Sequence, residues 1–190
     1  MRPIPDRAIA CLWILFGIVW AFGALRTKGT RQYEPAITRI LHVLAMLLAW
    51  GLIFKDAFRP GPLNWLFIAR TPAVQWTGVA ITAIGIAVAI AARVRLGGNW
   101  SGSVAVKQDH ELIQTGMYAW VRHPIYSGLV LAAFGSAIYV GRVGCLLGMA
   151  VVVIAFRAKS LLEESFMERE FGERYSEYKQ RVKALIPFVW

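Results

Sequence analysis

The sequence predicts an all-α integral membrane protein with five transmembrane helices. Of its 190 residues, 57% are hydrophobic and only 17% are charged, and a water-soluble domain of this length cannot bury so much apolar surface. The apolar residues also form long runs, and a helix of about 20 apolar residues is enough to cross a bilayer. Because the length suits one domain, we expect a single membrane domain over residues 1–190.

Five apolar runs define the predicted spans. Three of them carry no charged residue, and the other two have charges only near one end, where long side chains reach the headgroups. In chain order the spans are Ala8–Leu25, Ala36–Phe54, Thr71–Ala92, His123–Gly141 and Val143–Leu162. The first run is longer than the apolar core of a usual signal peptide, so we favour a span there as well. The first three spans make up the region 1–94.

The last two spans are separated only by Gly141-Arg142-Val143-Gly144, which predicts a tight helical hairpin. Gly144 and Gly148 lie four residues apart, and small residues at that spacing let two helices approach closely. We expect these two glycines to pack the hairpin rather than to form a dimer face.

Basic residues are distributed unevenly between the two predicted faces of the membrane. Fifteen of the 21 lysines and arginines fall on the side of the first loop, the third loop and the C-terminal tail. Cytoplasmic loops carry such an excess, so we expect the N-terminus outside and the third loop and tail in the cytoplasm. This distribution explains the net charge of +10 without a nucleic-acid partner, since no basic run alternates with aromatic residues that would stack on bases.

Two segments on the predicted cytoplasmic face hold most of the polar chemistry, residues 93–126 and 157–190. Six of the eleven acidic residues lie in the second segment. In the first, Pro124 suits the first position of a helix and His123 lies near its N-cap. The free backbone N–H groups there attract an anion, such as the carboxylate of an amino-acid-like cofactor. A simple polar anchor at the membrane surface is the alternative.

The end of the fifth span carries charges close to the membrane, where charges are candidates for function. Lys159 and Glu163 are four residues apart and therefore share one helix face; their alternative role is to mark the membrane boundary. Further on, Gly172 ends or breaks the helix, and Tyr175 and Tyr178 share one face of the following segment. We expect a cytoplasmic helix along the membrane with its tyrosines turned inward.

Seven short motifs in residues 95–190 follow one another in a specific order around the hairpin. They are Leu96-Gly97-Gly98-Asn99-Trp100-Ser101, His110-Glu111-Leu112-Ile113, Gly116-Met117-Tyr118, Arg122-His123-Pro124-Ile125-Tyr126, Glu163-Glu164, Phe171-Gly172-x-x-Tyr175-x-x-Tyr178 and Ile186-Pro187. In this order and spacing they resemble the isoprenylcysteine carboxyl methyltransferase family and its prokaryotic relatives. The first two spans carry no recognisable motif.

The resemblance implies an S-adenosylmethionine-dependent methyltransferase whose cofactor pocket is built on the cytoplasmic side from the third loop and the tail. It implies two groups of cofactor-binding residues, one that lines the pocket and one that closes around the amino-acid end of the cofactor. The first group is His110, Leu112, Ile113, Gly116 and Tyr118, and the second is Arg122, His123, Pro124, Tyr126 and Glu164. No metal site is implied.

The resemblance also implies a lipophilic or prenylated substrate that enters from the bilayer, among the membrane lipids, and is methylated on an isoprenylcysteine-like carboxyl group. One position departs from the family pattern. The family has an arginine four residues before the first glutamate of the pair, whereas Lys159 stands there in this chain and an arginine stands at Arg157. Arginine binds a carboxylate with two parallel hydrogen bonds and lysine does not. Lys159, Arg157 and Glu163 are therefore the candidate catalytic residues that position the nucleophile.

Three alternatives stay open at this point. A phospholipid-amine or small-thiol methyltransferase would use the same cofactor site and would need a base, for which His123 and Glu163 are the candidates. A sterol-type membrane reductase that uses NADPH has a similar tail, but the Arg-His-Pro motif and the glutamate pair argue against it. A non-catalytic membrane scaffold would bind no cofactor. The methyl acceptor and the oligomeric state do not follow from the sequence.

Overall fold

The computed structural model describes residues 4–25, 27–107 and 111–186, and these contain six α-helices and two short β-strands. The helices are α1 (Ile4–Ala24), α2 (Ala36–Phe54), α3 (Pro72–Leu96), α4 (Pro124–Val140), α5 (Val143–Phe171) and α6 (Glu173–Arg181), and the strands are β1 (Thr30–Tyr33) and β2 (Ala105–Lys107). Short 3₁₀ turns at Asp56–Phe58, Gly61–Asn64, Gly97–Asn99 and Gly116–Ala119 lie in the connections.

Four of the helices are long and apolar enough to cross a membrane, namely α1, α2, α3 and α5. The prediction of a helical membrane protein is therefore confirmed. Helix α4 stands at the place of the fourth predicted span and is shorter, with 17 residues. The predicted bounds of the second span, Ala36–Phe54, are those of α2.

Leu162, the predicted end of the fifth span, is not the end of its helix, because α5 continues to Phe171. Hydropathy marks where a helix leaves the apolar layer, whereas the helix itself continues until its residues no longer favour it. The residues after Leu162 are largely polar but include no glycine or proline before Gly172, whose φ of 55° ends α5. The glutamate pair therefore lies on a continuous helix, fixed relative to the apolar turns.

Helices α3 and α4 touch through their backbones. A Cβ atom added at Gly85 would lie 2.4 Å from the amide nitrogen of Ala132, and one at Gly128 would lie 2.6 Å from the carbonyl oxygen of Gly85. Gly78 and Gly135 form a second contact of the same kind. Small residues permit this close packing inside a membrane. We call these contacts between the two helices the α3–α4 seam.

The tight hairpin between α4 and α5 is confirmed, since Gly141 ends α4 in a left-handed conformation with φ 71° and α5 follows at once. The predicted packing of the hairpin glycines is wrong. A Cβ atom at Gly148 would meet Ile53 of α2 at 2.8 Å, and one at Gly144 would meet Arg59 at 2.7 Å. Arg59 donates to the last carbonyls of α2, and it therefore needs the space that a glycine leaves on α5.

The first and third loops pair as an antiparallel ribbon of β1 and β2, an exception to the predicted all-α architecture, with Thr30 opposite Lys107. Beyond the ribbon, the N–H of Glu34 donates to the carbonyl of Val104 at 2.9 Å, and the N–H of Val104 donates to Glu34 Oε1 at 3.0 Å. Extended loop backbone needs such partners for its polar groups. The ribbon places both loops at the same end of the bundle.

The C-terminal tail returns to the start of α4. The backbone N–H groups of Arg122 and His123 donate to carbonyls in the segment after α6, at 2.8 and 3.0 Å. Tyr175 and Tyr178 of α6 are buried, so the prediction of inward tyrosines is confirmed. The third loop, which precedes the hairpin in the sequence, and the tail, which follows it, therefore meet in space.

Candidate active site

A cavity of about 390 Å³ lies between the helices, within the size range of small-molecule sites. Its polar end is lined by charged, amide and hydroxyl side chains: Asn99, Glu111, Tyr118, Arg122, His123, Tyr126, Lys159, Glu163, Tyr175 and Tyr178. Its apolar end is lined by aromatic and aliphatic side chains: Trp13, Phe16, Met46, Trp50, Ile53, Phe54, Leu129, Ala133 and Val152. The cavity therefore joins two chemically distinct halves.

Glu164 of α5 lies at the centre of the ion pairs and hydrogen bonds of the polar end. Its side chain is only 3% exposed. Oε1 accepts hydrogen bonds from Arg122 Nη2 at 2.7 Å and Nε at 3.2 Å, and it lies 3.1 Å from His123 Nε2. Oε2 lies 3.2 Å from Lys179 Nζ of α6. A buried carboxylate is tolerated when its oxygens are paired in this way, so Glu164 ties α4, α5 and α6 together.

His123 lies between the two glutamates of the pair. Its Nε2 faces Glu164, and its Nδ1 lies 3.3 Å from Glu163 Oε2. Burial lowers the pKa of His123, but hydrogen bonds to Glu163 and Glu164 outweigh that effect and hold the pKa above its ordinary value of 6.5. Only the imidazolium can donate from both nitrogens. The two carboxylate contacts and the raised pKa both favour the imidazolium form of His123, in which each ring nitrogen donates to a glutamate.

Glu163 also accepts a hydrogen bond from the hydroxyl of Tyr126, at 3.0 Å. The Tyr126 ring stacks between His123 and Phe156, with centroid distances of 5.4 and 4.9 Å. Because two donors fix its Oε2 oxygen, the Glu163 carboxylate has a defined orientation at the cavity wall.

Lys159 and Arg157 take different directions from α5. Lys159 lines the cavity and donates to the carbonyl of Gly102 in the third loop at 2.9 Å. Arg157 donates to Ser160 of its own helix at 3.2 Å and is not among the described residues that line the cavity. Of these two sequence candidates, the structure brings Lys159 to the same cavity as Glu163.

The tail closes the polar end through backbone carbonyls. Arg122 Nη1 donates to the carbonyls of Lys179, at 3.2 Å, and of Val182. The hydroxyl of Tyr178 donates to the carbonyl of Tyr118 at 2.6 Å. Burial raises the pKa of Tyr118 well above its ordinary value, so its hydroxyl stays protonated. The third loop, α4 and α6 are thus joined by hydrogen bonds across sequence-distant segments.

Comparison with known proteins assigns this chain to a family. The family described as phospholipid methyltransferase matches residues 73–174. The protein-S-isoprenylcysteine O-methyltransferase of Schizosaccharomyces pombe is 32% identical over 161 residues, which cover 80% of this chain and 66% of the relative. Protein-S-isoprenylcysteine O-methyltransferase B of Arabidopsis thaliana is 30% identical over 152 residues, 78% of this chain and 74% of the relative. The chain belongs to the isoprenylcysteine carboxyl methyltransferase family.

Other members of the isoprenylcysteine carboxyl methyltransferase family are longer. The Homo sapiens protein-S-isoprenylcysteine O-methyltransferase is 33% identical over 78% of this chain but only 51% of its own length. The solved structure of a eukaryotic intramembrane Ras methyltransferase, isoprenylcysteine carboxyl methyltransferase, superposes with a TM-score of 0.59 at 24% identity, over 79% of this chain and 53% of that one. The chain thus spans between half and three quarters of these relatives, and the fold is shared.

Most of the residues that the family resemblance implied as site residues surround the cavity. Those lining it are Leu112, Ile113, Tyr118, Arg122, His123, Tyr126, Lys159 and Glu163. Glu164 lies directly behind them. Gly116 instead starts a 3₁₀ turn with φ 64°, and Pro124 is buried as the first residue of α4. His110 lies outside the described residues.

Sequence reasoning missed the side chains that α1 and α2 contribute to the site. Trp13, Trp50 and Phe54 line the apolar end, but no motif marks them, because an apolar residue in a span is equally suited to lipid and to a cavity. Asn99 and Glu111 were within reach of sequence reasoning, since both lie in the motifs. Asn99 Oδ1 accepts from Lys28 Nζ at 3.2 Å and from the Glu111 N–H at 3.3 Å.

Proposed function

We propose that this chain is an S-adenosylmethionine-dependent methyltransferase that methylates the carboxyl group of an isoprenylcysteine-like lipid. One observation carries the proposal: a single cavity joins the charged residues Lys159 and Glu163 to a long apolar end. A substrate with a carboxylate head and a hydrocarbon tail matches both halves. The names of the S. pombe and A. thaliana relatives describe the same substrate class.

The polar end fits the chemistry of the cofactor. The ammonium group of S-adenosylmethionine needs carboxylates, and Glu111 and Glu163 line the cavity there. Its flat base needs apolar contacts, which Leu112 and Ile113 offer, and its ribose needs polar partners such as the Asn99 amide. When bound, the cofactor supplies a methyl group on a positively charged sulfur.

The residues on α5 and just before α4 position the reacting groups rather than move protons. In our proposal the ammonium of Lys159 holds the carboxylate of the acceptor, and Arg122, His123 and Glu164 keep the amino-acid end of the cofactor in place. With the cofactor bound there, its methyl group would pass to the acceptor carboxylate, and the thioether that remains would be the leaving group. The acceptor carboxylate is ionised at neutral pH, so no base is required. Alignment of this kind lowers a barrier by about 7–11 kcal/mol.

The state of His123 argues against an amine or thiol acceptor. Such an acceptor has to lose a proton, and both ring nitrogens of His123 face carboxylates. Glu163 is held by His123 and Tyr126 through the same oxygen. A carboxylate acceptor needs neither of them as a base, which is why we favour carboxyl methylation.

Calorimetry on the purified protein tests the cofactor, with S-adenosylmethionine and NADPH as separate titrants. We expect binding of S-adenosylmethionine alone; binding of NADPH would support a reductase, and binding of neither would support a scaffold. Methyl transfer to farnesylcysteine analogues and to phospholipid amines then tests the acceptor. Glu163→Ala should reduce transfer by at least a hundredfold, whereas Arg157→Ala, on the same helix but outside the cavity, serves as the control.

We also propose that α4 crosses the membrane as the fourth of five spans, with the polar end in the cytoplasm. At about 1.5 Å per residue its 17 residues extend about 26 Å, which is near the lower limit for a span. The excess of lysine and arginine in the first loop, third loop and tail supports this orientation. A reporter fused to the C-terminus should read as cytoplasmic, and a periplasmic or lumenal signal would overturn the orientation.

A further inference from the structure

The wall of the cavity contains one ionisable side chain that the function proposed above does not use, His42 of α2. Six described residues of α2 line the cavity at helical spacing, and five of them have apolar side chains: His42, Met46, Ala49, Trp50, Ile53 and Phe54. An ionisable residue inside a membrane span is costly to place and is by default a candidate for function. His42 therefore calls for a role in the site.

The neighbours of the His42 ring place it where the two ends of the cavity meet. Its centroid lies 5.6 Å from that of Phe156, and its imidazole is within hydrogen-bonding reach of the backbone carbonyl of Ala155. Lys159, which interacts electrostatically with His42, stands on the same helix four residues after Ala155. At a rise of about 1.5 Å per residue, Ala155 is about 6 Å nearer to the apolar end. The ring therefore lies beside the path from Lys159 to the apolar end.

A row of four rings connects His42 to the polar end. Phe156 stacks on Tyr126, and Tyr126 stacks on His123, with centroid distances of 4.9 and 5.4 Å. The row thus runs from α2 across α5 to the start of α4. Packing against this row and the Ala155 carbonyl together limit the rotation of the His42 ring. A side chain held in this way keeps the geometry that recognition of a ligand needs.

The two imidazoles at the ends of the row have opposite surroundings. His123 lies between two carboxylates and donates to both, whereas His42 lies beside the ammonium of Lys159. A charged ring is costly in the apolar layer, and a neutral imidazole has one N–H and one nitrogen that accepts. With its N–H directed to the carbonyl of Ala155, His42 offers an acceptor to the cavity. A hydrogen-bond donor on the ligand then stabilises the complex, because a polar group without a partner is unfavourable there.

The acceptor proposed above carries one such donor at the right place. The nitrogen of an isoprenylcysteine is bonded to the same carbon as the carboxyl group, and it lies about 2.5 Å from the carboxyl carbon. When Lys159 holds the carboxylate, an amide N–H on that nitrogen is within reach of a ring beside Lys159. The thioether and the hydrocarbon chain have no N–H or O–H group to donate, and they continue toward Met46, which follows His42 by one helical turn.

We propose that His42 is a specificity-determining residue that accepts a hydrogen bond from the amide N–H of the acceptor cysteine. The proposal rests on the function proposed above and adds a polar contact from α2 to it. Lys159 holds the carboxylate, and His42 holds the nitrogen on the neighbouring carbon. Two contacts on one small group fix its rotation and therefore the direction of the carboxylate oxygens.

Methyl transfer to two matched acceptors tests this hydrogen bond. N-acetyl-S-farnesylcysteine has the amide N–H, and 3-(farnesylthio)propanoate lacks the amide. The wild-type kcat/KM should be at least tenfold higher for the amide compound. His42→Phe keeps a ring against Phe156 and removes the acceptor nitrogen, and it should bring the two values within about threefold by lowering kcat/KM for the amide compound. His42→Gln, whose side-chain carbonyl accepts a hydrogen bond, should restore part of the preference.

Met46→Leu is the matched control, because this residue lines the cavity one turn from His42 on the same helix and the exchange conserves volume. Its ratio of kcat/KM values should equal that of the wild type. A purely structural effect of His42→Phe would lower transfer to both acceptors equally and leave the ratio unchanged, which would overturn the role of His42. If His42→Phe fails to fold, His42→Leu takes its place in the same comparison.

Calorimetry with the same two compounds gives a readout that does not depend on methyl transfer. The wild type should bind the amide compound about tenfold more tightly, and His42→Phe should bind the two about equally. This pattern without any methyl transfer would reject the proposed function and keep the contact of His42 with the amide. Methyl transfer with the same ratio in the wild type and in His42→Phe would keep the function and overturn the contact. A wild type that binds neither compound, or both equally, would also overturn it.

Discussion

The polar and apolar ends of the cavity are built on different principles. At the polar end the buried charged groups have partners at hydrogen-bond distance, as Glu164 has in Arg122, His123 and Lys179. At the apolar end aromatic and aliphatic side chains line the cavity by packing. There the hydrogen bond from Trp13 to Ser136 is the directional contact of Trp13 with α4. The first kind of site depends on particular atoms and the second on shape. The family match runs from residue 73 in α3 to residue 174 at the start of α6. It therefore covers Arg122, His123 and the glutamate pair of the polar end and leaves out α1, α2 and most of α6.

The largest expected effect is at Glu164. If the polar end depends on particular hydrogen bonds, then removing this one carboxylate should disrupt the whole polar end of the cavity. Glu164→Ala leaves Arg122 and His123 buried without their shared acceptor, and breaking a buried ion pair costs about 3–5 kcal/mol. We expect a loss of S-adenosylmethionine binding by calorimetry and a lower unfolding midpoint in detergent. Glu168→Ala is the control: this glutamate also pairs with Lys179, at 2.8 Å, but is 42% exposed, and such pairs contribute less than about 1 kcal/mol. Equal effects of the two variants would contradict the prediction.

The next effect is at the α3–α4 seam, which supports the apolar end through backbone packing. Gly85→Ala places a Cβ atom 2.4 Å from the Ala132 nitrogen, and overpacking of this kind costs about 1–3 kcal/mol. We expect a lower unfolding midpoint in detergent, because α3 and α4 have to move apart to admit the methyl group.

Gly17 supplies the matched control for the seam. It lies in α1, and a Cβ atom there has nothing within 4 Å. Gly17→Ala should therefore leave the unfolding midpoint unchanged or raise it slightly, as alanine favours a helix more than glycine does. If Gly17→Ala and Gly85→Ala lowered stability equally, close packing of the seam would not be the cause.

A smaller effect is expected from pH. It separates the two ends because none of the described side chains named above for the apolar end is ionisable. The folded state holds the pKa of His123 above 6.5, so it binds a proton that the unfolded chain has lost near neutral pH. This stabilisation is complete below about pH 6.5 and is lost as the pH rises through the folded-state pKa. Each tenfold gain in proton affinity on folding contributes about 1.4 kcal/mol. Unfolding measured from about pH 6 upward should show the decline in the wild type and a flatter curve in His123→Gln. Parallel curves would mean that His123 is not the titrating group.

The smallest expected effect is at Lys159, where the two ends meet. Lys159→Arg offers two parallel hydrogen bonds to an acceptor carboxylate where lysine offers a point charge. KM for a farnesylcysteine analogue should fall by about threefold, with kcat little changed. Arg157→Lys, on the same helix, should change neither. A larger response at Arg157 than at Lys159 would assign the role to the arginine.

The polar end was largely accessible to sequence reasoning because its residues are costly to place near a membrane and therefore stand out. Arg122, His123 and the glutamate pair could be grouped from their spacing around the hairpin, and they meet in the structure. The apolar end was not accessible. In a water-soluble helix the inner face is marked by apolar residues, but in a span every face is apolar, so Trp13 and Trp50 look no different from lipid-facing residues.

The sequence also could not predict which helix packs against a given small residue. Gly144 and Gly148 suit any helix that approaches them, and they pack on α2 and Arg59 rather than within the hairpin. The predicted fifth span stops at Leu162 because apolar composition reports on the surroundings of a helix and not on its continuation. The end of the helix itself was predicted, since Gly172 ends α5. By contrast, Pro35 before α2 and Lys55 after it bracket the apolar run, and there the bounds were predicted correctly.

The contact between Arg122 and the tail has a consequence for biosynthesis. The carbonyl of Val182 that Arg122 binds lies 60 residues later in the chain, and Glu164, its other partner, lies 42 residues later. During translation the guanidinium therefore emerges well before either acceptor exists, and α5 and α6 have to follow before it can be buried. The polar end can thus be completed only after α6 and Val182 have been synthesised, and a ribosome that stalls before Val182 leaves a nascent chain whose charged site is still open.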